Sequence, residues 1–156
     1  MPTSAGATPV SPQALEHLRI LSGTPIYGQD IRNSETAKDL PQETNQDARA
    51  LHFAKGCYLG QEIVERIRSR GNVHRHLRPL ELTGPVPAAG VELTTENGKP
   101  AGQVTSAAQL KLASGARVFA LAMIRAEAEL SDRPFSYASE SGTGAARILA
   151  SPPALR

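Results

Sequence analysis

Val91-Glu92-Leu93-Thr94-Thr95-Glu96-Asn97-Gly98-Lys99-Pro100-Ala101-Gly102-Gln103-Val104-Thr105-Ser106 is the stretch that decides the fold. Two β-prone runs, Val91 to Thr95 and Lys99 to Ser106, flank Asn97-Gly98, a pair that tolerates positive φ at both central positions of a two-residue turn. The stretch therefore predicts a β-hairpin. Outward from it lie further short apolar or alternating runs: Leu77, Leu80 and Leu82 on one side, Val118 to Met123 on the other. Gly84-Pro85 and Ala88-Ala89-Gly90 punctuate them as turns. Short strands at this spacing indicate a small antiparallel β-barrel, placed at residues 72–130. Residues 131–156 are small, polar and Pro-containing apart from Ile148-Leu149, and read as a flexible tail.

Upstream of the barrel the periodicity is helical. Ala14, Leu15, Leu18 and Leu21 recur at three-to-four spacing, so a helix is predicted over Gln13–Leu21, started by Ser11-Pro12 and stopped at Ser22-Gly23. Residues 1–12 read as a flexible leader. Residues 24–39 are rich in turn formers and polar side chains and read as a long surface loop, of the kind that lines sites. Pro41 suits the first position of a short helix. From Gly60, Gln61-Glu62-Ile63-Val64-Glu65-Arg66-Ile67-Arg68-Ser69-Arg70 has an apolar stripe, acid in its first turn, arginines in its last and Gly71 as a stop. The class is α+β, with residues 13–71 forming a first part and the barrel a second.

Composition narrows the function. The chain has 156 residues, 40% of them hydrophobic, a net charge of +2 and 4% aromatics. So small a charge and so few rings argue against a dedicated nucleic-acid module, and no direct nucleic-acid partner is expected. No run reaches the roughly 18 apolar residues of a membrane helix, and the N-terminus lacks a signal pattern, so a cytoplasmic location without membrane contact is expected. One cysteine excludes an internal disulfide framework and cannot alone complete a four-ligand metal site.

That cysteine stands in Lys55-Gly56-Cys57-Tyr58-Leu59-Gly60-Gln61-Glu62. A neighbouring cation and a helix start both favour a thiolate, so Cys57 is a candidate nucleophile or soft ligand with Lys55 as its electrostatic helper. On spacing alone a small buried hydrophobe is the commoner role for a lone cysteine. Tyr58 is either a packing residue or a member of the site, while Gln61 and Glu62 suit helix capping. Arg66, Arg68, Arg70, Arg75 and Arg78 form a basic stretch. It is either a solvated face or a receiver of carboxylate or phosphate, with Arg66 and Arg70 the residues singled out for an anion. His74-x-His76 lacks a third ligand, and no metal site is assigned.

The eight-residue cysteine segment resembles the Lys-Gly-Cys-Tyr-x-Gly-Gln-Glu signature of the YgfZ family of folate-binding, iron–sulfur-maintenance proteins, distant relatives of the glycine cleavage T-protein, an aminomethyltransferase. Arg19-Ile20 with Gly23-x-Pro25, Gly28 with Asp30, Leu40-Pro41-Gln42-Glu43, Phe53, Arg66-Ile67 with Arg70-Gly71, and Gly102-Gln103-Val104-Thr105-Ser106 follow in the family's order. The resemblance covers roughly residues 14–125. It implies a tetrahydrofolate derivative as cofactor, iron–sulfur client proteins as partners, including enzymes that modify tRNA, and a required motif cysteine. It also implies that this chain holds only the end of the folate-binding α/β region and the barrel, so that another chain would supply the missing N-terminal half. Tyr27 and Asp30 resemble the Tyr-Gly-x-Asp segment of the wider folate family and are expected to line the cavity, Asp30 as a polar contact or simply a turn former. Many T-protein relatives carry a pterin-binding carboxylate after Arg-Ile, where this chain has Leu21. The resemblance thus implies a factor for iron–sulfur protein maintenance without conventional turnover, with tetrahydrofolate-dependent aminomethyl transfer as the enzymatic alternative and a fragment or interaction module of a split protein as the other.

Overall fold

The computed structural model describes residue 6 and residues 8–153 apart from 72 and 114, and the backbone alone of Arg70. The chain begins with helix α1 (Pro12–Leu21), a 3-10 helix (Pro41–Thr44), a single turn α2 (Asp47–Ala50) and helix α3 (Gln61–Arg70). Six strands follow: β1 (Arg75–Thr83), β2 (Glu92–Thr94), β3 (Pro100–Leu112), β4 (Gly115–Arg125), β5 (Phe135–Ser139) and β6 (Gly142–Ile148), with a turn α4 (Ala126–Glu129) after β4. They close in the order β1-β4-β3-β2-β5-β6, every pair antiparallel, with β6 returning to β1. Closure leaves no free edge, which removes the unpaired backbone groups that an open sheet would present.

The two predicted long helices form with the end signals read in the sequence, but their apolar stripes are only partly covered: Leu21 and Val64 are buried, whereas Leu15, Leu18 and Ile63 are exposed. Ser11 Oγ accepts the Ala14 N–H at 3.1 Å and Pro12 takes the first position of α1. Gly60, at φ 87°, caps the start of α3, a backbone conformation that glycine adopts without strain. The predicted hairpin also forms, with one correction. Only Gly98 takes positive φ (71°); Asn97 does not, and Gly98 N–H and Thr95 N–H bond to Thr95 O and Lys99 O. The connection is a three-residue loop with a glycine bulge rather than a two-residue turn.

The larger correction concerns the expected flexible tail. Residues 135–148 are β5 and β6, which complete the barrel, so its strands run from Arg75 to Ile148 and not only to residue 130. Phe135 and Tyr137 are buried inside it at 2% and 3% exposure. Their cross-strand neighbours are Ala146 and Gly144. The strand is hard to read from composition because small residues fill the space that aromatic rings leave: a Cβ on Gly144 would strike Thr83 O and the Tyr137 ring. Residues 1–5, 7 and 154–156 of the expected leader and tail lie outside the described residues.

Two apolar clusters use opposite faces of β4. Leu80, Leu82, Leu93, Val104, Val118, Ala122 and Ile124 fill the barrel with Phe135 and Tyr137, whereas Phe119, Leu121 and Met123 pack outside it with Ile20 and Leu21 of α1. The unbroken apolar run of β4 follows from burial on both faces. No helix among the described residues is long and apolar enough to cross a membrane.

Candidate functional site

The cysteine motif enters α3 by an irregular segment tied to that helix at both ends. The Arg68 guanidinium stacks on the Phe53 ring at 4.2 Å, and Gln61 N–H donates to Tyr58 O at 3.2 Å. Cys57 lies between these anchors and is exposed. Burial as a small hydrophobe is therefore not its place. Lys55 Nζ sits 4.2 Å over the Tyr58 ring, so the cation is held within the motif by the aromatic face. Leu59 projects fully into solvent. Arg66 is exposed on α3, and the Arg70 side chain lies outside the described residues.

The 3-10 helix couples α3 to the barrel. Gln42 Nε2 donates to Val64 O at 3.0 Å, and Glu43 closes its own turn by accepting Leu40 N–H at 2.7 Å. Arg75 at the start of β1 donates to Glu43 at 2.9 Å and to Asp39 at 2.8 Å, while Arg32 reaches Asp39 at 2.9 Å. Burial opposes ionisation of Asp39, yet the hydrogen bonds from the Arg32 side chain and backbone and the charges of Arg32 and Arg75 prevail, holding it below the ordinary aspartate value. The same bond raises Arg32.

Asp30 occupies a second junction. It is 1% exposed, and both oxygens are filled: Oδ2 accepts from Arg19 and from Ile26 N–H at 2.8 and 2.9 Å, Oδ1 from Thr105 and Ser106 at 2.5 and 2.6 Å. Successive strand residues normally point to opposite faces. Here a bulge in β3, between Val104 and Ser106, lets both hydroxyls reach one oxygen. Arg19 also donates to Ser106 at 2.8 Å and pairs with Glu16. This network joins α1, the 24–39 loop and β3. The task of Arg19, Thr105 and Ser106 is not legible in the sequence, because the register bulge that assembles them has no local signal.

A cleft of about 810 Å³ opens beside this junction, between the loop and the strands. Of the expected site residues, Asp30 alone lines it; Tyr27, Lys55, Cys57, Tyr58 and Arg66 do not. Tyr27 is exposed and accepts a hydrogen bond from Asn33 at 2.6 Å. The cleft is lined by Arg32, Arg75, Arg125 and His74, with Glu43, Glu92 and Gln103. Arg125 stands directly opposite Arg75 in the β1–β4 ladder and has no acceptor among the described residues, an arrangement that favours an anion. His76 bonds Glu129 at 3.1 Å, and no group of three metal-ligating side chains occurs among the described residues.

The barrel has a counterpart among family models: that of the CAF17 C-terminal beta-barrel domain matches residues 74–155. The chain belongs to this family. The iron-sulfur cluster assembly factor IBA57, mitochondrial, of Mus musculus is 35% identical over 94 residues, 56% of this chain and 24% of that protein. The tRNA-modifying protein YgfZ of Pectobacterium carotovorum subsp. carotovorum (strain PC1) is 39% identical over 99 residues, 60% of this chain and 28% of that protein. YgfZ of Yersinia pestis (strain Pestoides F) is 44% identical over 98 residues, with the same two shares. The chain spans about a quarter of the length of these curated relatives. In structure it resembles glycine cleavage system aminomethyltransferase T from Bartonella henselae, with a TM-score of 0.64 and 19% identity over 89% of this chain and 37% of that one, a likeness of fold alone.

Proposed function

We propose that this CAF17-family chain is part of a folate-linked factor that supports assembly or repair of iron–sulfur clusters in client enzymes, tRNA-modifying enzymes among them, with Cys57 as the reacting thiol. The observation that carries the reading is the exposure of Cys57 within the Lys55–Glu62 motif. A soft thiolate in that position can ligate iron of a cluster in transit. Lys55, two positions before Cys57, is the cation of the motif and is held over the Tyr58 ring.

The residues of the 810 Å³ cleft fit a tetrahydrofolate derivative in size and charge. Arg125 and His74 would hold the glutamate carboxylates, with Gln103 and Glu92 offering an amide and an acceptor to the pterin. When bound, the folate carries a one-carbon unit. Asp30, with both oxygens occupied by protein donors, serves as a positioning residue for the loop rather than a ligand contact. The part of the relatives that this chain does not span is the expected source of the remaining cavity wall, and a cytoplasmic setting suits the free thiol.

The test has two arms. Cys57→Ala should abolish complementation in a cell-based iron–sulfur enzyme assay while leaving the circular dichroism spectrum unchanged; normal activity would sink the thiol assignment. Arg125→Gln should weaken tetrahydrofolate binding to the purified chain about tenfold, as expected for one charge-assisted contact. Formation of methylene-tetrahydrofolate in vitro would instead favour the transferase.

A further inference from the structure

The part of the chain before the barrel has little core of its own. Among the described residues there, Ile20, Leu21 and Val64 are the buried apolar side chains, whereas seven of the nine exposed large apolar side chains of the molecule lie in this part. Helix α1 shows the imbalance most clearly. Of its apolar stripe Ala14, Leu15, Leu18 and Leu21, the last member alone joins the cluster outside the barrel, in company with Ile20. Ala14 is exposed, and Leu15 and Leu18 are 56% and 58% exposed. Residues three and four apart lie side by side on one helix face, so these three present a continuous apolar strip to solvent. The charges beside the strip are engaged elsewhere: Glu16 pairs with Arg19, and Arg19 turns inward to Asp30 and Ser106. Single exposed apolar side chains are ordinary, but a strip on a helix anchored by its other flank marks a surface that another apolar surface covers.

The family architecture indicates the occupant. The matched barrel is a C-terminal domain, and the chain spans about a quarter of its curated relatives, so most of their length precedes the matched part. The likeness to aminomethyltransferase T takes in 89% of this chain, hence the helical part as well as the barrel, but only 37% of that protein. The helices thus have the arrangement they would have within a larger fold. Helix α1 is the first element of the chain and stands nearest to the preceding portion in chain order. We propose that the Ala14-Leu15-Leu18 face of α1 is the docking surface for the N-terminal portion of the family architecture, which meets it with an apolar face of its own. Like the proposed function, this inference takes the unspanned part of the relatives to lie against the chain; it does not depend on Cys57 or on folate.

The experiment co-expresses the full chain, carrying an affinity tag, with the portion of Yersinia pestis (strain Pestoides F) YgfZ that precedes its matched region, and measures the stoichiometry of what co-purifies. A one-to-one complex is expected, and it should persist at high ionic strength because the contact is apolar. Its yield should fall about tenfold or more in Leu15→Asp and in Leu18→Asp, while Val86→Asp, an equally exposed change on the barrel side, leaves it intact. Both leucines are exposed, so the circular dichroism spectrum of the unpaired chain should not change. Absence of the complex, a complex that neither leucine substitution weakens, or a dimer of this chain alone that they dissociate, overturns the proposal. Cys57→Ala should form the complex undiminished. Normal complementation by Cys57→Ala beside an intact complex therefore sinks the thiol assignment alone, and absence of the complex beside a required Cys57 sinks this surface alone.

Discussion

Cys57 and Asp30 illustrate how differently two residues in irregular segments are used. Cys57 has nothing packed over it, so a maleimide should label it stoichiometrically in the native chain with no change in the circular dichroism spectrum; resistance to labelling until denaturant is added would contradict its exposed position. Asp30, by contrast, is a buried anion whose four donors come from α1, its own loop and β3. Asp30→Ala leaves Arg19 buried with only Glu16 and Ser106 as partners, so a loss of about 3 kcal/mol in urea unfolding is expected. A change below about 0.5 kcal/mol would show that the junction contributes little. The cysteine was legible in the sequence as a motif. The task of Asp30 was not, because its donors lie 11, 75 and 76 positions away and meet only through the β3 bulge.

At the scale of elements, β5 and β6 carry the clearest expectation. Tyr137 fills the barrel and its hydroxyl donates to Pro85 O at 2.6 Å, while its ring lies over Gly144. Tyr137→Ala removes that ring and leaves a cavity, which should cost about 3–5 kcal/mol, read as a shift of the denaturant midpoint. Gly102 of β3 gives a complementary test by overpacking. An added Cβ would strike the Met123 carbonyl oxygen, a backbone atom that cannot rotate away, so Gly102→Ala should lower stability by about 2 kcal/mol or more. An unchanged thermal midpoint for either variant would argue against the barrel register. Strands β1 and β3 announced themselves by leucine and valine patterning. Strands β5 and β6 did not, since Gly144, Ala145 and Ala146 resemble linker composition until Tyr137 and Phe135 are placed opposite them.

For the whole molecule, acid sensitivity should originate where the helical segments meet the barrel. Asp39 is held below its ordinary value, so its contribution to stability is complete above that value and is lost as the pH falls through the lower, folded one. Thermal melting should therefore fall as the pH drops below about 4, and Asp39→Asn should flatten that dependence while lowering stability at neutral pH. An identical acid profile in wild type and variant would place the sensitivity elsewhere.

The amino-acid sequence by itself determined the helices α1 and α3, the central hairpin and the cysteine motif, because each depends on residues within a few positions of one another: a cap, a glycine, an apolar stripe. Only the tertiary structure decided that the last strands close the barrel and that Asp30 is a buried strut. Those outcomes rest on cross-strand register between segments tens of residues apart, where small side chains and single charges acquire meaning only from what stands opposite them.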